Sequence, residues 1–238
     1  MLRIEHLTKH YKGNNKGITD LSLHVEPGDL YAFIGHNGSG KTTTLQAIVG
    51  IHSFDKGNIY IDGQDITKAP LGCKEKIAYI PDDPSLYDYL TGMQYLNFIA
   101  DVFHLSNAKR QEQIEYFASA FEITDALNEL ISTYSHGMKQ KLALTGAFLH
   151  DPSLLILDEP FVGLDPQAIF TLKGLMKHLC DHGGSVFFST HVLDVAEKLC
   201  NKVAMIKDGH LIIEGRMTDI IKSGQTLESI FLDVDQHA

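Results

Sequence analysis

The chain has 238 residues, 20 of them basic and 30 acidic, for a formal net charge of -10. No basic run offsets that charge, so a nucleic-acid partner is not expected. No apolar stretch approaches the roughly 18 residues that a membrane-spanning helix needs, and Cys73, Cys180 and Cys200 form no CxxC pair that would suggest zinc or a disulfide framework.

Strand-like alternation opens the chain at Ile4–Thr8 and returns at Leu21–Val25. After a turn at Pro27-Gly28-Asp29, the short apolar run Leu30–Ile34 reads as a strand covered on both faces. The loop Gly35-His36-Asn37-Gly38-Ser39-Gly40-Lys41-Thr42 follows, and a helix is expected from Lys41 to Val49. Residues 57–66 read as a hairpin around Asp62-Gly63, and Ile77–Ile80 as a strand stopped by Pro81. From about Leu86 to His150 the pattern turns helical. Buried-strand runs resume at Leu154–Leu157 and Val186–Phe188, and a last hairpin turns at Asp208-Gly209. Beyond Gly215 the tail is short, with Leu227, Ile230 and Phe231 at helical spacing. The alternation of strands and helices predicts an α/β fold. One domain is expected over 1–238: a β part with the loop (1–83), a helical insert (84–150) and the remainder of the core with its tail (151–238).

The loop fits GxxxxGK[ST] at every fixed position. Glycines let the backbone fold tightly enough for successive N–H groups to point at phosphate oxygens. Lys41 supplies charge to the β- and γ-phosphates, and Thr42 a hydroxyl to Mg²⁺. The helix behind them aims its positive end at the same anion. A chance match in a chain of this length is expected on the order of once in a hundred, and the strand before and helix after lower it further. Leu154–Leu157 ends in Asp158 and Glu159. Asp158 at the strand tip is the candidate Mg²⁺ ligand, and Glu159 the candidate general base for an attacking water.

Between loop and acids stands Tyr134-Ser135-His136-Gly137-Met138-Lys139-Gln140-Lys141. In this order of motifs the chain resembles the ABC ATPase family over essentially its whole length. The octet is similar to the family signature Leu-Ser-Gly-Gly-Gln: Ser135 and Gly137 match, whereas Tyr134, His136 and Met138 depart. Its YSxGMxQK form resembles subfamilies with exporter-type membrane subunits, among them the EcsA-like and bacitracin-resistance groups.

The resemblance implies a P-loop NTPase fold: a RecA-like core, an antiparallel β subdomain and a helical insert. It implies that Ser135, His136, Gly137 and Met138 act in trans, on ATP held by the loop (Gly35 to Thr42, with Thr43) of a second subunit. Asp165, in Gly163-Leu164-Asp165-Pro166, falls in the D-loop between subunits. His191, after Ser189-Thr190, is the switch histidine, and Tyr11 the ring that stacks on adenine. Asp82 occupies the Q-loop position, where relatives carry Gln, and is expected to face Mg²⁺ through a water. The implied cofactors are ATP and Mg²⁺. The implied partners are a membrane-spanning ABC permease and a second ATPase subunit, identical or not. The expected place is the cytoplasmic face of the cell membrane, and the expected work is ATP hydrolysis coupled to export. Two other readings are weighed. A soluble ABC ATPase without a transport role usually carries two such domains or long coiled coils. A P-loop kinase leaves Ser135, Gly137, Asp165 and His191 unexplained.

Overall fold

The computed structural model describes residues 1–11, 17–222 and 224–237, the last four by backbone alone. In chain order come β1 (Leu2–His10), β2 (Gly17–Val25), β3 (Leu30–Ile34), α1 (Lys41–Ile48), β4 (Lys56–Ile61), β5 (Gln64–Asp65), α2 (Pro70–Lys74) and β6 (Ile77–Ile80). The helices α3 (Gly92–Val102), α4 (Asn107–Ala120) and α5 (His136–Phe148) follow, with two short 3-10 turns before α5. Then come β7 (Leu154–Asp158), α6 (Pro166–Asp181), β8 (Ser185–Thr190) and α7 (Leu193–Leu199). The chain closes with β9 (Lys202–Lys207), β10 (His210–Arg216), α8 (Met217–Ile220) and α9 (Leu227–His237).

Two sheets result. The antiparallel one has the order β2-β1-β4-β5, and the other β10-β9-β3-β8-β7-β6. In the second, β3, β6, β7, β8 and β9 pair in parallel and β10 joins antiparallel. Every residue of β3, β7 and β8 is buried, as befits central strands covered on both faces. The period of two divides their side chains between two cores. Leu30, Ala32, Ile34, Leu155 and Leu157 join α5 and α6 on one face. Tyr31, Phe33, Leu154 and Ile156 meet α1 and the antiparallel sheet on the other. The phosphate-loop motif, Asp82, the acid pair and His191 follow the C-terminal ends of β3, β6, β7 and β8, whereas Tyr11 follows β1 of the other sheet.

The expected α/β fold is the one observed. Both hairpin turns place two residues at positive φ, Asp62 (48°) with Gly63 (77°) and Asp208 (47°) with Gly209 (80°), the conformation that Asp-Gly favours. Other details differ from the sequence reading. β1 runs longer than Ile4–Thr8, and its alternation breaks where His6 and Asp20 of the paired strand both take φ 52°. Helices α2 and α7 are too short to show periodicity, and no reading of the sequence located them. The cysteines are all free and buried.

Candidate nucleotide site

β3 delivers the chain into the loop, and α1 receives it at Lys41. Gly38 (φ 82°) and Gly40 (φ 111°) take the left-handed conformations that the reversal requires. The back of the loop is fixed to the sheet: Gly209 N–H donates to the Ser39 carbonyl at 2.9 Å, and Ser39 N–H to that of His36 at 3.1 Å. No acidic residue occupies the first turn of α1, so its positive end stays uncompensated. Lys41, only 6% exposed, donates to the carbonyls of Gly35 (2.7 Å) and His36 (3.3 Å).

Across from the loop, β7 carries Asp158 to its tip, 1% exposed. The Ser189 hydroxyl of β8 donates to Asp158 Oδ1 and accepts from Glu159 N–H at 3.0 Å. Glu159 itself has φ 47°, uncommon for a residue with a side chain and concentrated at functional sites. That turn sends its carboxylate toward Lys41 Nζ, 3.7 Å from Oε1, and toward His191, whose Nδ1 lies 2.9 Å and backbone N 3.3 Å from Oε2. Asp158 Oδ2 and Glu159 Oε1 are buried without a hydrogen-bond partner. The unpartnered Asp158 Oδ2 and the Thr42 hydroxyl line one cavity and are hard oxygen donors of the kind that fits Mg²⁺.

A cavity of about 320 Å³ gathers Tyr11, Asn37, Gly38, Gly40, Lys41, Thr42, Thr43, Asp82, Asp158 and Glu159. Tyr11 lies at its rim, its hydroxyl 3.4 Å from Thr43 Oγ1, its ring edge-on to His52 and 5.7 Å from Lys9 Nζ. Residues 12–16, next to Tyr11, lie outside the described residues. Gly35, His36 and Ser39 form the back of the loop, and His191 reaches the site through Glu159. The sequence reading gave no role to Ser189, which orders both acids. Its only signal was its place at the end of a buried strand. Gly17, also on the cavity wall, contributes backbone alone and carries no motif.

Asp82 enters the same cavity from the loop after β6. Burial and the carboxylates of Asp158, Glu159 and Asp83 push its pKa up. A carboxyl whose folded pKa is raised contributes stability that is present below the unfolded pKa and lost as pH rises through the folded value. Ionised Asp82 therefore opposes folding at neutral pH. Asp82→Asn is expected to raise Tm by about 1–2 °C at pH 7, with the gain vanishing at acid pH. Thermal melts of both proteins across pH 3–8 check this; a difference that does not change with pH would detach Asp82 from the acids.

The signature residues lie elsewhere. Ser135 caps α5, its hydroxyl accepting from Met138 N–H at 3.3 Å. Tyr134 is buried, and its hydroxyl donates to the Ala126 carbonyl at 2.5 Å, which ties the octet into the helical insert. His136 lies against Gly163, where a Cβ would come 2.6 Å from its ring, and its Nδ1 is 3.9 Å from Asp83 Oδ1. A Cβ on Gly137 would stand 2.8 Å from the Gly163 carbonyl, so only glycine fits there. Asp165 caps α6 at Ala168 N–H (2.8 Å) and pairs with Lys141 (2.6 Å). The Lys141 ammonium and that N–H hold its carboxyl below the usual range. None of Ser135, His136, Gly137 and Met138 lines the cavity that holds Lys41 and Glu159.

A family model described as ABC transporter matches residues 18–162. The chain belongs to the ABC transporter ATP-binding family. Among relatives of this ABC subunit, the ABC-type transporter ATP-binding protein EcsA of Bacillus subtilis (strain 168) is 34% identical over 220 residues, covering 92% of this chain and 89% of EcsA. The SkfA peptide export ATP-binding protein SkfE of the same organism is 34% identical over 212 residues, covering 89% and 87%. A solved ATP-binding subunit of an ABC transporter superposes with TM-score 0.94 at 32% identity, over 99% of each chain. The bacterial ABC transporter cassette MJ0796, solved as a dimer, superposes with TM-score 0.81 over 92% of this chain and 99% of its own. At 23% identity, that likeness speaks for the fold alone. No helix among the described residues of the ABC subunit is long and apolar enough to cross a membrane.

Proposed function

We propose that this ABC subunit hydrolyses ATP to ADP and phosphate in a head-to-tail dimer, and that the cycle drives export through a separate membrane-spanning subunit. The observation that carries the proposal is the division of parts. Lys41, Thr42, Asp158 and Glu159 share one cavity, while Ser135 and Gly137 stand outside it. A second subunit completes the site by presenting its α5 N-terminus to the γ-phosphate. In that site the loop N–H groups and Lys41 hold the phosphates, and Glu159 takes the proton of the attacking water. His191 holds Glu159 in place and presents its other ring nitrogen to the γ-phosphate. Thr42 and Asp158 hold Mg²⁺, which when bound offsets charge on the phosphate oxygens. Tyr11 stacks on adenine, and Asp82 relays to the membrane subunit. The export direction is supported by the YSxGMxQK octet and by the likeness to SkfE, itself named for peptide export. On this reading the subunit works at the cytoplasmic face of the membrane.

The test is light scattering of the Glu159→Gln variant, which should retain ATP. A dimer is expected with MgATP and a monomer with MgADP, because only the former carries the γ-phosphate that bridges two chains. A monomer under both conditions overturns the sandwich.

A further inference from the structure

The tail beyond β10 does not trail away from the site. Its helix α9 starts from a fixed point: Glu197 of α7 accepts the Leu227 N–H at 2.7 Å, and Thr226 and Ser229 exchange N–H to hydroxyl bonds at 3.1 Å each. Leu227 is 0% exposed, and Ile230 and Phe231 pack against the same core. One turn further on, the Phe231 ring meets the ring of His36, with centroids 4.7 Å apart and planes tilted by 57°, a favourable aromatic arrangement. His36 is the second residue of the phosphate loop. Its carbonyl accepts from Ser39 N–H and from Lys41 Nζ, so the peptide that Phe231 steadies is part of the loop's hydrogen-bond frame. At its other end α9 is fastened to α7, which begins two residues after His191.

We propose that α9 braces the phosphate loop and that Phe231 is a positioning residue for nucleotide binding, acting through His36. The inference rests on reading Gly35–Thr42 as the ATP site. Its physical content is preorganisation. A loop whose N–H groups already face the phosphates loses less freedom on binding than one whose second residue can turn. With the Phe231 ring removed, His36 loses one of the contacts that order it, and the looser loop binds ATP more weakly. Phe231 is not among the residues that line the cavity with Asp158 and Glu159, so the chemical step keeps its barrier.

The experiment measures Kd for the fluorescent analogue mant-ATP, together with KM and kcat for MgATP, well below the melting temperature. Phe231→Ala is expected to raise Kd and KM about three- to tenfold while kcat moves less than about twofold. Phe231→Tyr keeps the ring and should restore the parent values. Phe231→Leu keeps the apolar burial, secures a folded protein for the measurement, and should show most of the loss. A purely structural role predicts lower Tm with unchanged Kd. Folded Ala and Leu variants that bind mant-ATP within about twofold of the parent overturn the brace. A parent chain that binds no mant-ATP overturns the reading of the site itself, and so the two failures are told apart.

Discussion

Glu159→Gln is expected to lower kcat at least about 100-fold while ATP still binds. The carboxylate is held by His191 through Oε2, and its Oε1 lies 3.7 Å from Lys41 Nζ and makes no hydrogen bond. A proton leaving water needs an acceptor in that place, and an amide cannot take it. The loss corresponds to roughly 2.7 kcal/mol of barrier, at about 1.36 kcal/mol per tenfold. The substitution disturbs little else. Gln has nearly the same shape, and its carbonyl can still accept from His191. It also removes a negative charge that shares the cavity with Asp158 and Asp82, so the fold should melt no lower than the parent. Phosphate release in single turnover and equilibrium binding of mant-ATP separate the two effects. A variant that keeps more than about a third of the parent kcat removes Glu159 from the role of base.

The parts of this molecule legible in its sequence are those set by short-range rules. Leu30–Ile34 and Leu154–Leu157 are continuous apolar runs of five and four residues, the length and pattern of a strand buried on both faces. The two Asp-Gly hairpins declare themselves by the φ values they need. The phosphate loop is a string of contiguous residues whose chemistry is local. What the sequence concealed is assembled from distant pieces. Ser189 looked like the end of a strand, yet lies opposite Asp158 because β7 and β8 pair in register, and so it orders both acids. The left-handed turn at Glu159 has no glycine to announce it. Tyr134 departs from the usual leucine, and the reason lies eight residues upstream in a carbonyl that its hydroxyl reaches. The approach of Phe231 to His36 joins positions 195 residues apart, a contact no spacing rule foretells.

Gly35→Ala is expected to harm nucleotide binding far more than Gly63→Ala, although Gly63 is left-handed and Gly35 is not. The position is crowded rather than twisted. A Cβ there would fall well inside contact distance of the Ile206 carbonyl, 2.5 Å from Ser39 Oγ and 2.9 Å from Ile206 Cγ2. The first obstacle is backbone of β9, which pairs with both β3 and β10 and cannot step aside alone. The second is a side chain whose residue anchors the loop to Gly209. The loop must therefore move away from the sheet, into the space where its N–H groups and Lys41 meet phosphate. Overpacking of this kind costs about 1–3 kcal/mol, or a Tm lower by on the order of 3–10 °C for a domain of this size. Affinity for mant-ATP should fall about tenfold or more, because a shift of about 1 Å misaims several donors at once. Gly63→Ala is the matched control. Gly63 has φ 77° and no atom within 4 Å of its added Cβ, so alanine there costs only backbone strain, about 1–2 kcal/mol, at a turn remote from the cavity. The control should melt lower and bind mant-ATP as the parent does. If Gly35→Ala also loses stability without losing affinity, the contact with β9 supports the fold and the loop takes its shape from elsewhere.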